Sequence, residues 1–283
     1  MSNMENIRKR ILKDRLFTLI VIVLSFTACI PLLAILGFII KNGISSINLN
    51  FFIHLPKPVG EHGGGISNAI IGTFIVVGIA FVIATPLSLL AGIYLAENKK
   101  NFFSDVLRVG IDILASIPSI VIGIIAYLWV VKPMKSFSAL SGGIALAIIM
   151  LPVVIKSTEE TLSMVPDSLR EASLALGVPY FRTILKVIVP AGLSGIITGI
   201  LIAISRIAGE TAPLLFTAFG NPFMNLNVTK PVNTIPLVVF NYSTSPYEQW
   251  HKIAWAAALV LIAIVFVFNF LARIISKKWK TKF

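Results

Sequence analysis

Six long runs of the chain contain no charged residue, and they constrain its fold more than any other feature. About 20 apolar residues cross the ~30 Å hydrocarbon core of a bilayer as an α-helix. Charged residues make up only 13% of the chain, against about 25% in soluble domains. The sequence therefore predicts an all-α membrane protein with six transmembrane helices. The runs hold 19 to 34 residues each and are Leu16–Ile40, Gly63–Ala96, Ile113–Val131, Ser136–Ile155, Val187–Ser205 and Ile253–Ala272.

The distribution of basic residues predicts the orientation of these helices. With both termini in the cytoplasm, 17 of the 24 Lys and Arg residues fall in cytoplasmic segments, six fall in outer loops, and Arg206 lies within a span. This asymmetry follows the positive-inside rule, so both termini are predicted to be cytoplasmic. The net charge of +12 does not indicate nucleic-acid binding, because the basic residues are spread along the membrane edges.

The chain is predicted to form one membrane domain with short tails. Its outer loops, Lys41–His62 and Gly220–Lys252, are rich in turn-forming residues. Gly195 and Gly199 stand at helical spacing and indicate close helix packing. The single Cys29 excludes an internal disulfide, and His54, His62 and His251 share no metal-ligand spacing. The predicted units are a basic tail over 1–15, a transmembrane domain over 16–275 with a cytoplasmic loop over 156–190, and a second basic tail over 276–283.

Arg206 and Glu210 are the only charged residues between Val187 and Phe219. A charged side chain at bilayer depth costs at least ~2.5–3.5 kcal/mol and usually serves a function. The fifth helix is predicted to continue through both residues, which places the two side chains on one face. Pro213 is then expected to free the carbonyl of Gly209 within that helix. From the residues alone, the pair either lines a transport path or is a static ion pair.

Other polar residues near the spans are weaker candidates for a path. Ser116 and Ser119 flank a proline in the third run, but serines in helices usually bond to their own backbone. Thr211 offers a hydroxyl donor next to the charged pair. Asp112 is expected to pair with Arg108 rather than to take part in transport.

The cytoplasmic loop from Lys156 to Lys186 is predicted to contain two short helices around a turn. Pro166-Asp167-Ser168 is typical of a helix start. Gly177 accepts the left-handed conformation that ends a helix, and Pro179 suits the first turn of the next one. Pro190 marks the entry to the fifth span. Such a loop is either a solvated connection or a docking element for a partner.

The sequence Glu171-Ala172-Ser173, followed by Gly177 and Pro190, resembles the EAA loop of ABC-importer permeases. Ser173 stands where that family usually has a second alanine. In the family, this short helix docks in a cleft of a separate ATPase subunit. No Gly-Lys dipeptide occurs in this chain, so it has no phosphate-binding P-loop. The resemblance implies that this chain binds no cofactor, that the partner ATPase uses ATP and Mg, and that the coupling residues are Arg170, Glu171, Ala172, Ser173, Leu176, Gly177, Val178, Pro179 and Arg182.

Four further patches resemble the PstA-type permeases of bacterial phosphate ABC importers. The resemblance covers residues 60–270 and implies the type I ABC importer permease fold in a bacterial inner membrane. It also implies a second related permease subunit in a heterodimer, two ATPase subunits, and an extracytoplasmic phosphate-binding protein that docks on the outer loops. The patches are Gly64–Thr73, Leu114–Gly123, Leu151–Pro166 with the EAA loop, and Arg206–Leu214; Thr234–Leu237 and Ala254–Ala258 also match.

The charged pair fits phosphate on chemical grounds as well. The planar guanidinium of Arg206 suits a tetrahedral oxyanion. Glu210 can accept a hydrogen bond from a protonated phosphate, whereas fully ionised sulfate has no such proton. The competing predictions are a permease for molybdate, sulfate or phosphonate, and a gradient-driven transporter, for which inverted repeats are not visible. No nucleophile–base arrangement indicates an enzyme.

Overall fold

The structure is a computed structural model that describes residues 2–61 and 63–278, so the predicted roles of His62, Lys280 and Lys282 lie outside the described residues. Within the described residues, β-structure is limited to one isolated bridge between Phe219 and Val232. Turns of π type join α5 to α6 and α9 to α10. The helices are α1 Ser2–Gly43, α2 Leu49–Ile53, α3 Ser67–Glu97, α4 Phe102–Ser116, α5 Ser119–Ala126, α6 Lys132–Met134, α7 Ala139–Ser163, α8 Asp167–Ala175, α9 Tyr180–Thr183, α10 Val189–Ala191, α11 Leu193–Ala208, α12 Ala212–Leu215, α13 Ile235–Ser243 and α14 Glu248–Lys278.

The helices account for the six predicted spans, but only four of them are single unbroken helices. Among the described residues, α1, α3, α7 and α14 are each long and apolar enough to cross a membrane. Two bent helix pairs bring the number of spans to six if each pair crosses the membrane once. They are Phe102–Ser116 with Ser119–Met134, and Tyr180–Ala191 with Leu193–Ala208. The all-α membrane fold is therefore confirmed, while the orientation of the termini stays a prediction. The predicted tail over 1–15 is part of helix α1 from Ser2 onward.

The third predicted span, Ile113–Val131, is broken in its middle. Helix α4 ends at Ser116 and α5 starts at Ser119, and the two meet at 99°. Proline disfavours the helical conformation in the residue before it, and Ile117 is accordingly extended. The segment Asn98–Asp112, which the uncharged runs leave as a connection between the second and third spans, largely forms α4. Pro118 therefore separates two helices instead of bending one.

The fifth predicted span also differs from the continuous helix that the sequence suggests. The segment Tyr180–Ala191 meets α11 at 67°. At its other end, α11 stops at Ala208 rather than running on towards Phe219. Helix α7, in contrast, continues beyond its apolar run to Ser163. It thereby takes up the first eight residues of the predicted cytoplasmic loop.

Small residues bring α3, α7 and α11 into close contact at the centre of the protein. A Cβ atom added to Gly92 of α3 would lie 2.6 Å from the Cβ atom of Thr158 in α7. Added Cβ atoms at Gly195 and Gly199 of α11 would clash with Thr161 and Ser157 of α7. These pairs confirm the close packing predicted from Gly195 and Gly199. Because the residue numbers run in opposite directions, α7 and α11 are antiparallel.

The segment after Gly220 is tied to the first turns of α3 by buried polar side chains. The amide of Asn68 donates to the carbonyls of Asn221 at 2.7 Å and Pro222 at 3.0 Å. The hydroxyl of Thr73 accepts the backbone N–H of Ile235 at 2.9 Å, which satisfies the start of α13. The loop is therefore anchored at several points.

We expect Gly72→Ala to lower the free energy of unfolding by about 1–3 kcal/mol, because overpacking forces the backbone to shift. The added Cβ atom would lie only 1.9 Å from the backbone oxygen of Asn233. The matched control is Gly78→Ala in the same helix, which meets nothing within 4 Å. Thermal unfolding of the purified protein in detergent measures both changes. Equal unfolding temperatures for the two variants would contradict the packing described here.

Candidate functional site

Arg206 and Glu210 line a cavity of about 400 Å³ between three helical regions. Its walls come from the α4–α5 break, the middle of α7 and the end of α11. Apart from the charged residues and Ser119, the lining is aliphatic or proline. An anion in this cavity would meet few polar groups besides the cations. The lining residues are Leu114, Ala115, Ile117, Pro118, Ser119, Ile122, Ile149, Pro152, Val153, Lys156, Arg206 and Glu210.

The Arg206–Glu210 pair lies across the end of a helix, not along its face. The N–H groups of Gly209 and Glu210 donate to the carbonyls of Arg206 and Ile207, both at 3.2 Å, and close the last turn of α11. The Arg206 Nε and Glu210 Oε1 atoms are 3.8 Å apart, which is too long for a hydrogen bond. The Arg206 side chain is 56% exposed and that of Glu210 20%. The pair is therefore loose, and most guanidinium donors are free of Glu210.

The predicted effect of Pro213 on Gly209 is wrong, because no helix runs through both residues. Pro213 instead stands in the first turn of α12, where a proline is well tolerated. Its Cα atom would lie 2.7 Å from a Cβ atom added to Gly123 of α5. This contact holds α12 against α5 at one end of the cavity.

Only one of the three hydroxyl residues predicted to line the path lies in the cavity. Ser119 lines the cavity at the start of α5. Ser116 is exposed, and its Oγ donates to the carbonyl of Asp112 at 2.8 Å. Thr211 is half-buried and is not among the lining residues. Of the three, only Ser119 is placed where it could contact a ligand together with Arg206.

The expected pairing of Asp112 with Arg108 is wrong. Asp112 forms an ion pair with Lys156 of α7. Arg108 bonds instead to Glu159 at 2.8 Å and Asp105 at 2.9 Å. One helical turn separates Arg108 from Asp112, so the two face different positions along α7.

Lys156 lines the same cavity as Arg206, although the sequence does not indicate it as a candidate for the path. The apolar run ends at Ile155, so the sequence predicts that Lys156 lies in the cytoplasmic loop. In the structure it lies within α7, on the face that carries Pro152 and Val153. That i, i+3, i+4 spacing is the sequence signal that could have identified it.

The cytoplasmic loop has the two short helices that the sequence predicts, α8 and α9. Gly177 has a φ of +76°, the left-handed conformation that ends a helix. Its N–H donates to Leu174 at 2.9 Å, and that of Val178 donates to Ser173 at 3.3 Å. Helix α9 then starts directly after Pro179. This part of the prediction is confirmed.

A buried carboxylate at the end of α3 holds both short helices. The Glu97 side chain is 6% exposed, and its Oε1 atom accepts a bond from Arg170 of α8 at 2.7 Å. Its Oε2 atom accepts a bond from the hydroxyl of Tyr180 of α9. The buried hydroxyls of Ser173 and Thr183 also bond to each other, at 2.9 Å. Arg170 and Ser173, predicted to couple to an ATPase, therefore face the rest of this chain.

The other predicted coupling residues form the outward face of the loop. Leu176 is 84% exposed, and Phe181, five residues further along the loop, is 70% exposed. Two exposed apolar side chains among polar residues are typical of a surface that a partner covers. The role of this face stays a prediction. Its exposed members are Glu171, Ala172, Leu176, Gly177, Pro179 and Arg182, with Val178 half-buried.

Residues 88–281 match the family described as binding-protein-dependent transport system inner membrane component. Three relatives carry names of phosphate transport system permease proteins. The PstA protein of Yersinia pestis is 46% identical over 85% of this chain and 82% of its own length. A probable PstA of Methanocaldococcus jannaschii is 38% identical over 93% and 94%. PstA 1 of Mycobacterium tuberculosis is 37% identical over 88% and 83%.

Two solved structures of ABC transporters share the fold. A chain of a bacterial alginate ABC transporter superposes with a TM-score of 0.69, covering 97% of this chain and 99% of that chain at 14% identity. A chain of the MetNI methionine ABC transporter in an inward-facing conformation gives a TM-score of 0.60, with 77% and 95% covered at 18% identity. These likenesses establish the fold of the permease.

We expect Glu97→Gln to loosen the cytoplasmic loop, because the half-buried Arg170 would lose its buried anionic partner. Breaking a buried ion pair usually costs about 3–5 kcal/mol, and Asp167 retains part of the interaction with Arg170. Trypsin should therefore cut at the exposed Arg182 at least about tenfold faster, as measured by limited proteolysis in detergent. The control is Glu171→Gln, because Glu171 is an exposed residue of α8, next to Arg170 in sequence. Unchanged cleavage of Glu97→Gln would show that Glu97 does not hold the loop.

Proposed function

The chain belongs to the PstA family of phosphate transport permeases within the binding-protein-dependent transport system inner membrane components, and from this premise we propose how it moves its substrate. It is a membrane subunit of an ATP-driven phosphate importer. Inorganic phosphate passes through the cavity that Arg206 and Glu210 line. The observation that carries this proposal is a loosely paired arginine in a cavity beside a membrane-spanning helix.

Arg206 is suited to take up the anion because its donors are available. The 3.8 Å separation from Glu210 leaves the guanidinium without a close carboxylate partner in this pair. A guanidinium presents five N–H donors in a planar fork and keeps its charge when water is removed. Phosphate oxygens can therefore bind Arg206 in a bidentate manner.

Glu210 favours the release of phosphate from the site. A carboxylate near the arginine lowers the net attraction for the anion, and transport requires binding that is weak enough to reverse. The carboxylate can also accept a hydrogen bond from a protonated phosphate oxygen. Its position after the last turn of α11 is unfavourable, because the C-terminal end of a helix carries partial negative charge. The positive charge of Arg206, 3.8 Å away, partly offsets this unfavourable position.

The exposure of Arg206 supports a second permease subunit. With 56% of its side chain exposed, Arg206 would be costly to place against lipid. A related subunit that covers this face would complete the walls of the path. We propose a heterodimer, in which the partner contributes its own polar groups to the phosphate path.

The loop face around Glu171 and Leu176 is the proposed contact of the ATPase subunit. Glu97 joins this loop to α3, which packs along α7 over most of its length. A push on the loop would therefore reach the helix that forms one wall of the cavity. ATP and Mg act in the ATPase, and the extracytoplasmic binding protein delivers phosphate at the outer loops. Closure of the ATPase can shift the permease between two conformations only if the ATPase contacts those two conformations differently.

Arg206→Gln should lower phosphate uptake at least about 100-fold, because Gln carries no charge to attract the anion. Uptake of radiolabelled phosphate is measured in proteoliposomes that contain the assembled importer and its binding protein. Sulfate and molybdate serve as competitors, and either one blocking uptake would contradict the phosphate assignment. Arg273→Gln, an exposed arginine of α14, is the control and should transport normally. Normal uptake by Arg206→Gln with normal assembly would remove Arg206 from the path.

Glu171→Lys should lower binding-protein-stimulated ATP hydrolysis and phosphate uptake together, at least about tenfold. The reversed charge lies on the exposed face of the loop and would repel the site where the ATPase docks. Copurification of the ATPase and the rate of ATP hydrolysis are the measurements. Glu160→Lys, exposed near the end of α7, is the matched charge reversal. Unchanged hydrolysis in Glu171→Lys would mean that this face does not couple to the ATPase.

A further inference from the structure

We propose that Lys156 is a second phosphate-binding residue in the cavity, placed between Arg206 and the cytoplasmic loop. This inference rests on the proposed function and extends it: the anion moves from one cation to a second on its way through the protein. Lys156 and Arg206 are the two cationic side chains among the cavity-lining residues.

The packing of α7 against α11 sets the relative heights of the two cations. Gly199 of α11 lies opposite Ser157 of α7, and Gly195 lies opposite Thr161. Arg206 follows Gly199 by seven residues, and Lys156 precedes Ser157 by one. At about 1.5 Å per residue in antiparallel helices, Lys156 lies about 9 Å nearer to the cytoplasmic loop than Arg206 does. Both side chains are long enough to bend towards an anion held between these levels.

Lys156 has a resting partner that an anion can replace. Its ammonium group pairs with Asp112, and the two side chains are 46% and 61% exposed. Exposed pairs contribute little to stability because water screens them. Arg206 is also paired, but its contact with Glu210 is weak for a different reason, namely the 3.8 Å distance. Each cation is therefore neutralised in the absence of phosphate but is not locked in a buried salt bridge.

Lys156 is not needed to join α4 to α7. Arg108 and Glu159 already connect these helices through a 2.8 Å bond, and their side chains are only 28% and 20% exposed. The buried Ile111 of α4 packs in the same region as Ile155 of α7. The Lys156–Asp112 pair adds little to this contact. Moreover, Lys156 lines the cavity, whereas Asp112 is not among the lining residues.

Four variants of the assembled importer separate anion binding from a structural role. They are Lys156→Gln, Lys156→Arg, Asp112→Asn and the exchange Lys156→Asp with Asp112→Lys. Each is reconstituted with its partner subunits and binding protein, and radiolabelled phosphate uptake and ATP hydrolysis are measured together. Copurification of the subunits reports assembly. The control is Lys277→Gln, an exposed lysine near the end of α14.

If Lys156 binds phosphate, substitution of Lys156 should impair uptake more than substitution of its ion-pair partner Asp112. We expect Lys156→Gln to lower phosphate transported per ATP hydrolysed at least about tenfold. Lys156→Arg should keep most of the uptake, and Asp112→Asn should stay within about threefold of the wild type. The charge exchange should not restore uptake, because it removes the cation from the cavity face of α7.

If Lys156 and Asp112 form only a structural ion pair, substitution of either residue should impair uptake equally. Equal losses in Lys156→Gln and Asp112→Asn, or recovery in the charge exchange, would overturn the inference. Wild-type uptake by Lys156→Gln in a complex that transports phosphate would overturn it while leaving the proposed function intact. A wild-type complex that takes up no phosphate would overturn the proposed function and this inference with it. If Lys156→Gln does not assemble, Asp112→Asn and the charge exchange still decide between the two patterns.

Discussion

The close contact of α3, α7 and α11 through glycine, alanine and small hydroxyl residues positions every functional part of the chain. Gly92, Gly195 and Gly199 leave no room for a side chain against α7. In a membrane, such packing replaces much of the hydrophobic driving force that acts in water, because lipid is as apolar as the side chains. Helix α7 is thereby held at the centre, with the cavity on one face and the cytoplasmic loop at its end. A shift of α11 relative to α7 would change the width of the cavity, because both helices line it.

The charges of the cavity are paired, but weakly. Arg206 and Glu210 meet across a helix end at 3.8 Å, and Lys156 pairs with an exposed aspartate. A tightly bonded buried pair would resist exchange, since removing one partner leaves an uncompensated charge. Pairs that are long or exposed to water keep the site close to neutral and can give way to an incoming anion. These properties suit a path through which phosphate must move rather than a site that retains it.

The cytoplasmic loop is bonded to the rest of the chain on one side and exposes Leu176 and Phe181 on the other. Glu97 accepts bonds from both short helices, and Ser173 bonds to Thr183 across the turn. The serine at the position where the EAA motif usually has alanine therefore has a role inside the loop. Its hydroxyl could not be assigned from the sequence, because the partner lies on the next helix and depends on the turn at Gly177.

The sequence by itself determined the membrane class, the number of apolar spans, the two helices of the cytoplasmic loop and the isolation of Arg206 and Glu210 as a charged pair in an apolar segment. These follow from local properties: the length of apolar runs, the residues that stop helices, and the cost of a charge at bilayer depth. Only the tertiary structure decided that α11 ends before Glu210, that Lys156 shares the cavity with Arg206, and that Glu97 receives both Arg170 and Tyr180. Such contacts join residues far apart in the chain, and helix packing alone brings them together.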